Sequence, residues 1–130
     1  METHVTVAIV VEKGGKFLLV KRRDKPEKGF WAVPGGHVEK GEQPVGAARR
    51  EAMEEVGEIA IAKGPAWSFV HDVGLRKRHK CHVFLGKAAG RIRAGSDAAR
   101  LGWFTPRQME NLDLTNYTLQ IFNRLYRRNL

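Results

Sequence analysis

The sequence predicts a single α/β domain. Three observations carry that reading: two apolar runs joined by a Gly-Gly turn near the N-terminus, a helix-length segment bounded by Pro44 and Gly57, and further apolar runs ending in an amphipathic stretch. A chain of 130 residues is long enough for one domain to bury a core. Its composition, 42% hydrophobic and 28% charged, is that of an ordinary globular protein. No repeat, low-complexity tract or linker divides residues 1–130.

Val5 to Val11 reads as a buried strand, Lys13-Gly14-Gly15-Lys16 as a turn and Phe17 to Lys21 as the returning strand of a hairpin. Asp24 to Gly29, with Pro26, is a polar loop. Phe30 to Val33 is a short strand broken by Pro34-Gly35-Gly36, where the backbone can turn tightly and stay open to approach. A helix begins near Pro44, which suits a first helical position, and stops at Gly57. Its apolar stripe is Val45, Ala48, Ala52 and Val56. Glu51, Glu54, Glu55 and Glu58 lie on another side with Arg50, and the small Ala47 is expected to leave room there. Ala66 to Val73 and Cys81 to Lys87 read as strands joined by a basic turn, and Arg100 to Phe104 as a last strand. Thr105-Pro106 has the form of a helix start, with Thr as N-cap. Thr118 to Arg128 is a final helix expected to bury Leu119, Phe122 and Leu125.

Several classes are excluded or disfavoured. Val5 to Val11, the longest apolar stretch, is far too short to span a bilayer, so no membrane partner is expected. Glu2 and His4 do not open a secretory signal. The single Cys81 has no internal disulfide partner, which fits a cytoplasmic protein. No G-x-x-x-x-G-K-[ST] run supports an ATPase. His79, Cys81 and His82 are too few and too closely spaced for a closed zinc site, and strand alternation sends His82 away from Cys81.

The chain carries +9, from 23 Lys and Arg against 14 Asp and Glu, with a pI near 10.1. Such an excess either draws in polyanionic ligands or is a solvated surface without a dedicated partner. The cluster Arg76, Lys77, Arg78 and Lys80, placed at a hairpin tip, predicts only non-specific nucleic-acid binding. Against this background, six of the 14 acids fall between Glu39 and Glu58. Glu51, Glu54 and Glu55 stand at helical positions i, i+3 and i+4, so their carboxylates are surface neighbours. Like charges so placed destabilise a helix unless a cation sits among them. Mg²⁺ is the natural occupant, since hard cations take carboxylate oxygen and often hold substrate phosphate as well. A merely solvated helix face is the bland alternative.

Gly36, five residues, Glu42, seven residues and then Arg50-Glu51-Ala52-Met53-Glu54-Glu55-Val56-Gly57 resembles the Nudix box, G-x5-E-x7-R-E-U-x-E-E-x-G-U with U apolar. The two-strand opening, Trp31-Ala32-Val33-Pro34-Gly35 and Trp103-Phe104 agree with it, so the resemblance covers nearly the whole chain. It departs at the last U position, where Glu58 stands and Ile59 follows. It departs again five residues before Trp103, where many family members carry a further metal-binding Glu and this chain has Ala98 beside Asp97.

The resemblance implies the Nudix fold, a mixed β-sheet sandwiched between α-helices. It also implies metal-dependent hydrolysis of a nucleoside diphosphate linked to a group X, as in MutT-like and ADP-ribose pyrophosphatase-like members. Glu54 and Glu55 would be metal ligands with the carbonyl of Gly36, and Glu51 a ligand or general base. Arg50 would hold the glutamates by a bidentate pair, Glu42 would support from outside, and Asp97 would be an extra acid. The cofactor would be Mg²⁺ or Mn²⁺. The partner would be a small nucleotide, either an ADP-ribose-type nucleotide sugar or a (d)NTP, and a homodimer is compatible with it. Substrate contacts would come from Arg22 and Arg23, which favour a polyphosphate, from His37, and from Asn116 and Tyr117. Phe30 and Trp31 either stack on a base or lie in the core, the core being the better place for Trp31. The alternative is a catalytically inactive Nudix-fold module that binds nucleotide or RNA.

Overall fold

The first strand is apolar on both of its faces, so it must lie between two layers, and every other element is arranged around it. The computed structural model describes residues 2–25, 27–95 and 98–127. Strand β1 (Glu2–Lys13) runs parallel to β7 (Lys77–Ile92), from Glu2 opposite Lys77 to Val11 opposite Gly86. The other edge of β1 is shared. Its end turns through Gly14 and Gly15, at φ 58° and 79°, into antiparallel β2 (Lys16–Arg22). Its middle pairs with β4 (Gly35–His37).

Strand β2 also carries β3 (Trp31–Ala32) and β8 (Ala98–Phe104). The long β7 carries β5 (Gly57–Ile61) near its end and β6 (Trp67–Gly74) near its start. One face of this mixed sheet buries Val7, Ile9, Val11, Leu18 and Phe84 under helix α1 (Pro44–Glu55). The other buries Ala8, Val10, Leu19, Trp31 and Val83 under Met109 of α2 (Pro106–Met109) and Ile121 and Phe122 of α3 (Asn116–Arg127). This is the helix–sheet–helix sandwich that the sequence led us to expect. No helix among the described residues is long and apolar enough to cross a membrane.

The helix signals act as anticipated. Pro44 opens α1 after an extended Gln43, and Thr105 and Gln108 form a reciprocal capping box on α2. Gly57 ends α1 at φ +108°, and a Cβ there would stand 2.2 Å from the Arg91 carbonyl oxygen. No side chain fits that corner.

Five expectations are corrected. Ala47 does not face the acids; it is fully buried with Ala48 and Ala52, because the sheet covers a wider arc of α1 than the four-residue stripe. Glu58 leaves the helix, follows Gly57 into β5 and accepts the Arg91 N–H at 2.7 Å. On α3, Leu119 is 44% exposed and Ile121 is buried in its place. Gly35 and Gly36 do not merely break the chain but extend it along β1. Lys77, Arg78 and Lys80 belong to β7, leaving Leu75 and Arg76 at the tip.

Candidate active site

Two glycines set α1 against the sheet. Gly35 and Gly36 lie opposite Ala8 and Val7 on β1. A Cβ on Gly35 would fall 2.3 Å from the Val7 carbonyl oxygen, so only glycine lets β4 lie this close. A Cβ on Gly36 would fall 2.4 Å from Cδ of Glu51, so the missing side chain is the space the Glu51 carboxylate fills. The Gly35 N–H donates to Oε1 of Glu55 at 2.8 Å. One turn of helix therefore rests its carboxylates directly on strand backbone.

Arg50 organises the rest. Its Nε and Nη2 donate to the two oxygens of Glu42 at 2.8 and 3.0 Å, and its Nη1 donates to Oε1 of Glu51 at 2.8 Å. Nη2 also reaches the His37 carbonyl oxygen at 3.0 Å, tying the helix to the end of β4. The bidentate partner is thus Glu42, with Glu51 held by the remaining nitrogen. The Arg50 guanidinium, aided by the Glu39 N–H, pulls the Glu42 carboxyl down to about 2, while the hydrogen bonds that Arg50 donates to Glu42 and Glu51 raise its own pKa further. Glu54 stands at the margin, its side chain 51% exposed and 3.5 Å from Arg50 Nη1.

These groups edge a cleft of about 400 Å³ lined by Arg22, Arg23, Gly36, His37, Glu51 and Glu55. A second cavity of about 600 Å³ shares Arg22, Gly35, Gly36 and His37 and continues to Asn116 and Tyr117. The two form one trough, acidic and basic at one end and mostly neutral at the other. The Tyr117 hydroxyl donates to the Val33 carbonyl oxygen at 2.9 Å, and burial raises its pKa, so it stays neutral. Burial also lowers the pKa of His37, with His4 and Lys77 adding to the effect.

Of the residues singled out in the sequence, Arg22, Arg23, His37, Asn116 and Tyr117 line this trough, together with Gly36, Glu51 and Glu55. Trp31 does not. It is 9% exposed, packs edge-on against Phe104 and lies in the core. Asp97 lies outside the described residues, and Ala98 points its methyl group into the core beside α1. Glu51, Glu54 and Glu55 carry the oxygen donors a hard divalent cation takes, and the space left by Gly36 admits one of these carboxylates. The three are not gathered within 4.8 Å of one another here, Glu54 standing at the margin beside Arg50. Nδ1 of His82 pairs with Ser68 at 2.6 Å, the Cys81 thiol is buried and pushed up to about 11, and neither joins a group of potential ligands among the described residues. His71, Lys77 and His79 also line the trough. In the sequence His79 stands out only as a candidate zinc ligand and Lys77 as part of a basic turn; none of the three is placed at the substrate, and only alternation along two strands could have placed it there.

Residues 2–125 match the family model of the NUDIX domain. A Bacillus subtilis (strain 168) protein, whose name provisionally gives it 8-oxo-dGTP diphosphatase activity, is 32% identical over 127 residues, spanning 93% of this chain and 78% of that one. The crystal structure of a MutT NUDIX hydrolase from Burkholderia pseudomallei superposes with a TM-score of 0.77 at 30% identity, covering 92% of this chain and 95% of that one. A bifunctional NMN adenylyltransferase/ADP ribose pyrophosphatase from Francisella tularensis, complexed with AMP and a Mn ion, is 27% identical with a TM-score of 0.78. That match covers 97% of this chain and 42% of the Francisella protein. The chain belongs to the Nudix family. It is a Nudix pyrophosphohydrolase, of a kind that generally requires a divalent metal.

Proposed function

We propose that this enzyme cleaves the diphosphate linkage of an ADP-ribose-type nucleotide sugar or a (d)NTP with Mg²⁺ or Mn²⁺, releasing a nucleoside monophosphate. One observation carries the reading: Glu51 and Glu55 rest on the Gly35-Gly36 backbone in a cleft that also holds Arg22 and Arg23. The relatives' names, covering an oxidised dGTP and ADP-ribose, support both substrate types. The cytoplasm is the compartment we assign to it, and we assign nucleic acid no specific role.

A divalent ion held by Glu51, Glu54, Glu55 and the Gly36 carbonyl would neutralise phosphate oxygens and lower the pKa of the attacking water. The protein's own groups do the positioning. Arg22 and Arg23 grip the diphosphate oxygens as charge builds on them. Arg50, anchored by Glu42, fixes Glu51 in one rotamer, so its carboxylate does not have to be ordered at the moment of reaction, whether it serves as a ligand or as the base that receives the water proton. The water oxygen bonds to phosphorus, the anhydride P–O bond breaks, and the departing phosphate carries the electron pair. Asn116 and Tyr117 face the part of the trough that would take the nucleoside or the group X.

The test is a hydrolysis panel of ADP-ribose and common and oxidised (d)NTPs with Mg²⁺ or Mn²⁺ at about 200 mM salt, where non-specific polyanion binding has largely collapsed. Short-range metal contacts survive that salt. We expect cleavage to a nucleoside monophosphate. Tight, specific binding of one nucleotide without cleavage would replace the enzyme with an inactive binding module.

A further inference from the structure

Four strands bring histidines to one face of the sheet. His4 on β1 is in register with His79 on β7, which is in register with His71 on β6. His37 on β4 stands opposite Thr6, two residues beyond His4 and therefore on the same face. The His4, His37 and His79 rings lie 5.1 to 6.0 Å apart. One ring nitrogen from each of the three falls within 4.8 Å of the other two. Nε2 of His79 is buried without a hydrogen-bond partner, a cost that a native structure tolerates when something else takes the lone pair. A carboxylate also stands by: Glu2 Oε1 is 2.6 Å from His4 Nε2, as in sites where an acid fixes the ring and tautomer of a metal-binding imidazole.

We propose that His4, His37 and His79 form a second metal site, for a borderline divalent ion such as Zn²⁺ or Co²⁺, separate from the glutamate site on α1. Three imidazoles without the hard oxygen set select such ions over Mg²⁺. Bonds of about 2.0–2.1 Å need ligand nitrogens roughly 3.4 Å apart, so nitrogens that lie within 4.8 Å of one another have to close by no more than about 1.4 Å, within reach of side-chain rotation. Burial already favours the neutral, ligating form of His79. With three protein ligands a coordination position stays open, and His37 and His79 border the neutral end of the substrate trough. An ion here would pin β1, β4 and β7 together and give the trough an electrophile held by ligands other than the glutamates, with His37 bordering both sites.

The experiment titrates tag-free, metal-free protein with Co²⁺ and Zn²⁺ in millimolar Mg²⁺, which occupies the carboxylates. One equivalent is expected to bind in the micromolar range or tighter, with the intense visible absorption of low-coordinate Co²⁺ and a raised Tm. His4→Ala and His79→Ala should each weaken binding at least about tenfold, and His4, half-buried at the start of β1, can be changed without opening the core. Glu51→Gln/Glu55→Gln should bind Co²⁺ as wild type does, so the result is independent of the catalytic reading. No saturable binding, or binding that follows the glutamates and ignores the histidines, would overturn the proposal.

Discussion

Gly36→Ala separates chemistry from folding. The new Cβ would lie 2.4 Å from Cδ of Glu51 and 2.5 and 2.6 Å from its oxygens. Ordinary contact begins near 3.4 Å, so the carboxylate must retreat by about 1 Å. It cannot keep its 2.8 Å bond to Arg50 and its place over β4 at once. A misplacement of that size costs on the order of 100-fold in rate, or about 2.7 kcal/mol of transition-state stabilisation. Folding should barely notice, because Gly36 is not in the left-handed region and meets only a movable side chain. Gly35→Ala is the control: its Cβ would strike the Val7 carbonyl oxygen at 2.3 Å, and backbone cannot yield so easily. That overpacking should cost on the order of 1–3 kcal/mol and lower Tm by about 5–10 °C. The assay pairs steady-state kcat on the best nucleotide with thermal melting. Wild-type kcat in Gly36→Ala, or a Tm loss as large as in Gly35→Ala, would refute the packing argument.

Three further outcomes follow from the electrostatics. The Glu42 carboxyl is held at about 2 against an ordinary 4.5 by Arg50, so its stabilising contribution is full above 4.5 and fades as pH falls toward 2; Glu42→Gln should flatten melting temperature over that window and lower kcat by loosening Arg50. Burial, followed by the charges of His37, His71, Lys77 and His4, lowers the His79 pKa from 6.5 to about 4. Metal-free protein should therefore lose stability as pH falls from 6.5 to 4, because the unfolded chain binds the proton first. His79→Gln should remove part of that slope in a pH series of melting curves. Millimolar Mg²⁺ or Mn²⁺ should raise Tm by mass action, and this shift should nearly vanish in Glu51→Gln/Glu55→Gln; a melting curve indifferent to the ion in wild type would contradict a metal site there.

The spacing of Gly36, Glu42 and Arg50 to Gly57 was legible because helical period and fixed offsets turn sequence distance into direction. The capped helices were legible for the same reason: Pro44, Thr105 and Pro106 speak for their own backbones. What failed depended on partners far along the chain. The Gly35-Gly36 pair reads as a turn until β1 is there to pair with it. Ala47 looks like part of a polar face until the sheet covers that side of α1. Choosing Ile121 over Leu119 required knowing the angle at which α3 meets the core. The histidine group was invisible because His4, His37 and His79 are scattered along the sequence and meet only through strand register.

The central claim, that the α1 carboxylates carry phosphoanhydride hydrolysis, is met most directly by turnover of Glu54→Gln and Glu55→Gln. Each is to be measured on the best substrate of the panel at saturating Mg²⁺, with circular dichroism confirming the fold. Each removes one charged oxygen donor without changing side-chain volume. We predict a fall in kcat of about 100-fold or more in each. Turnover at the wild-type rate in both would contradict the account.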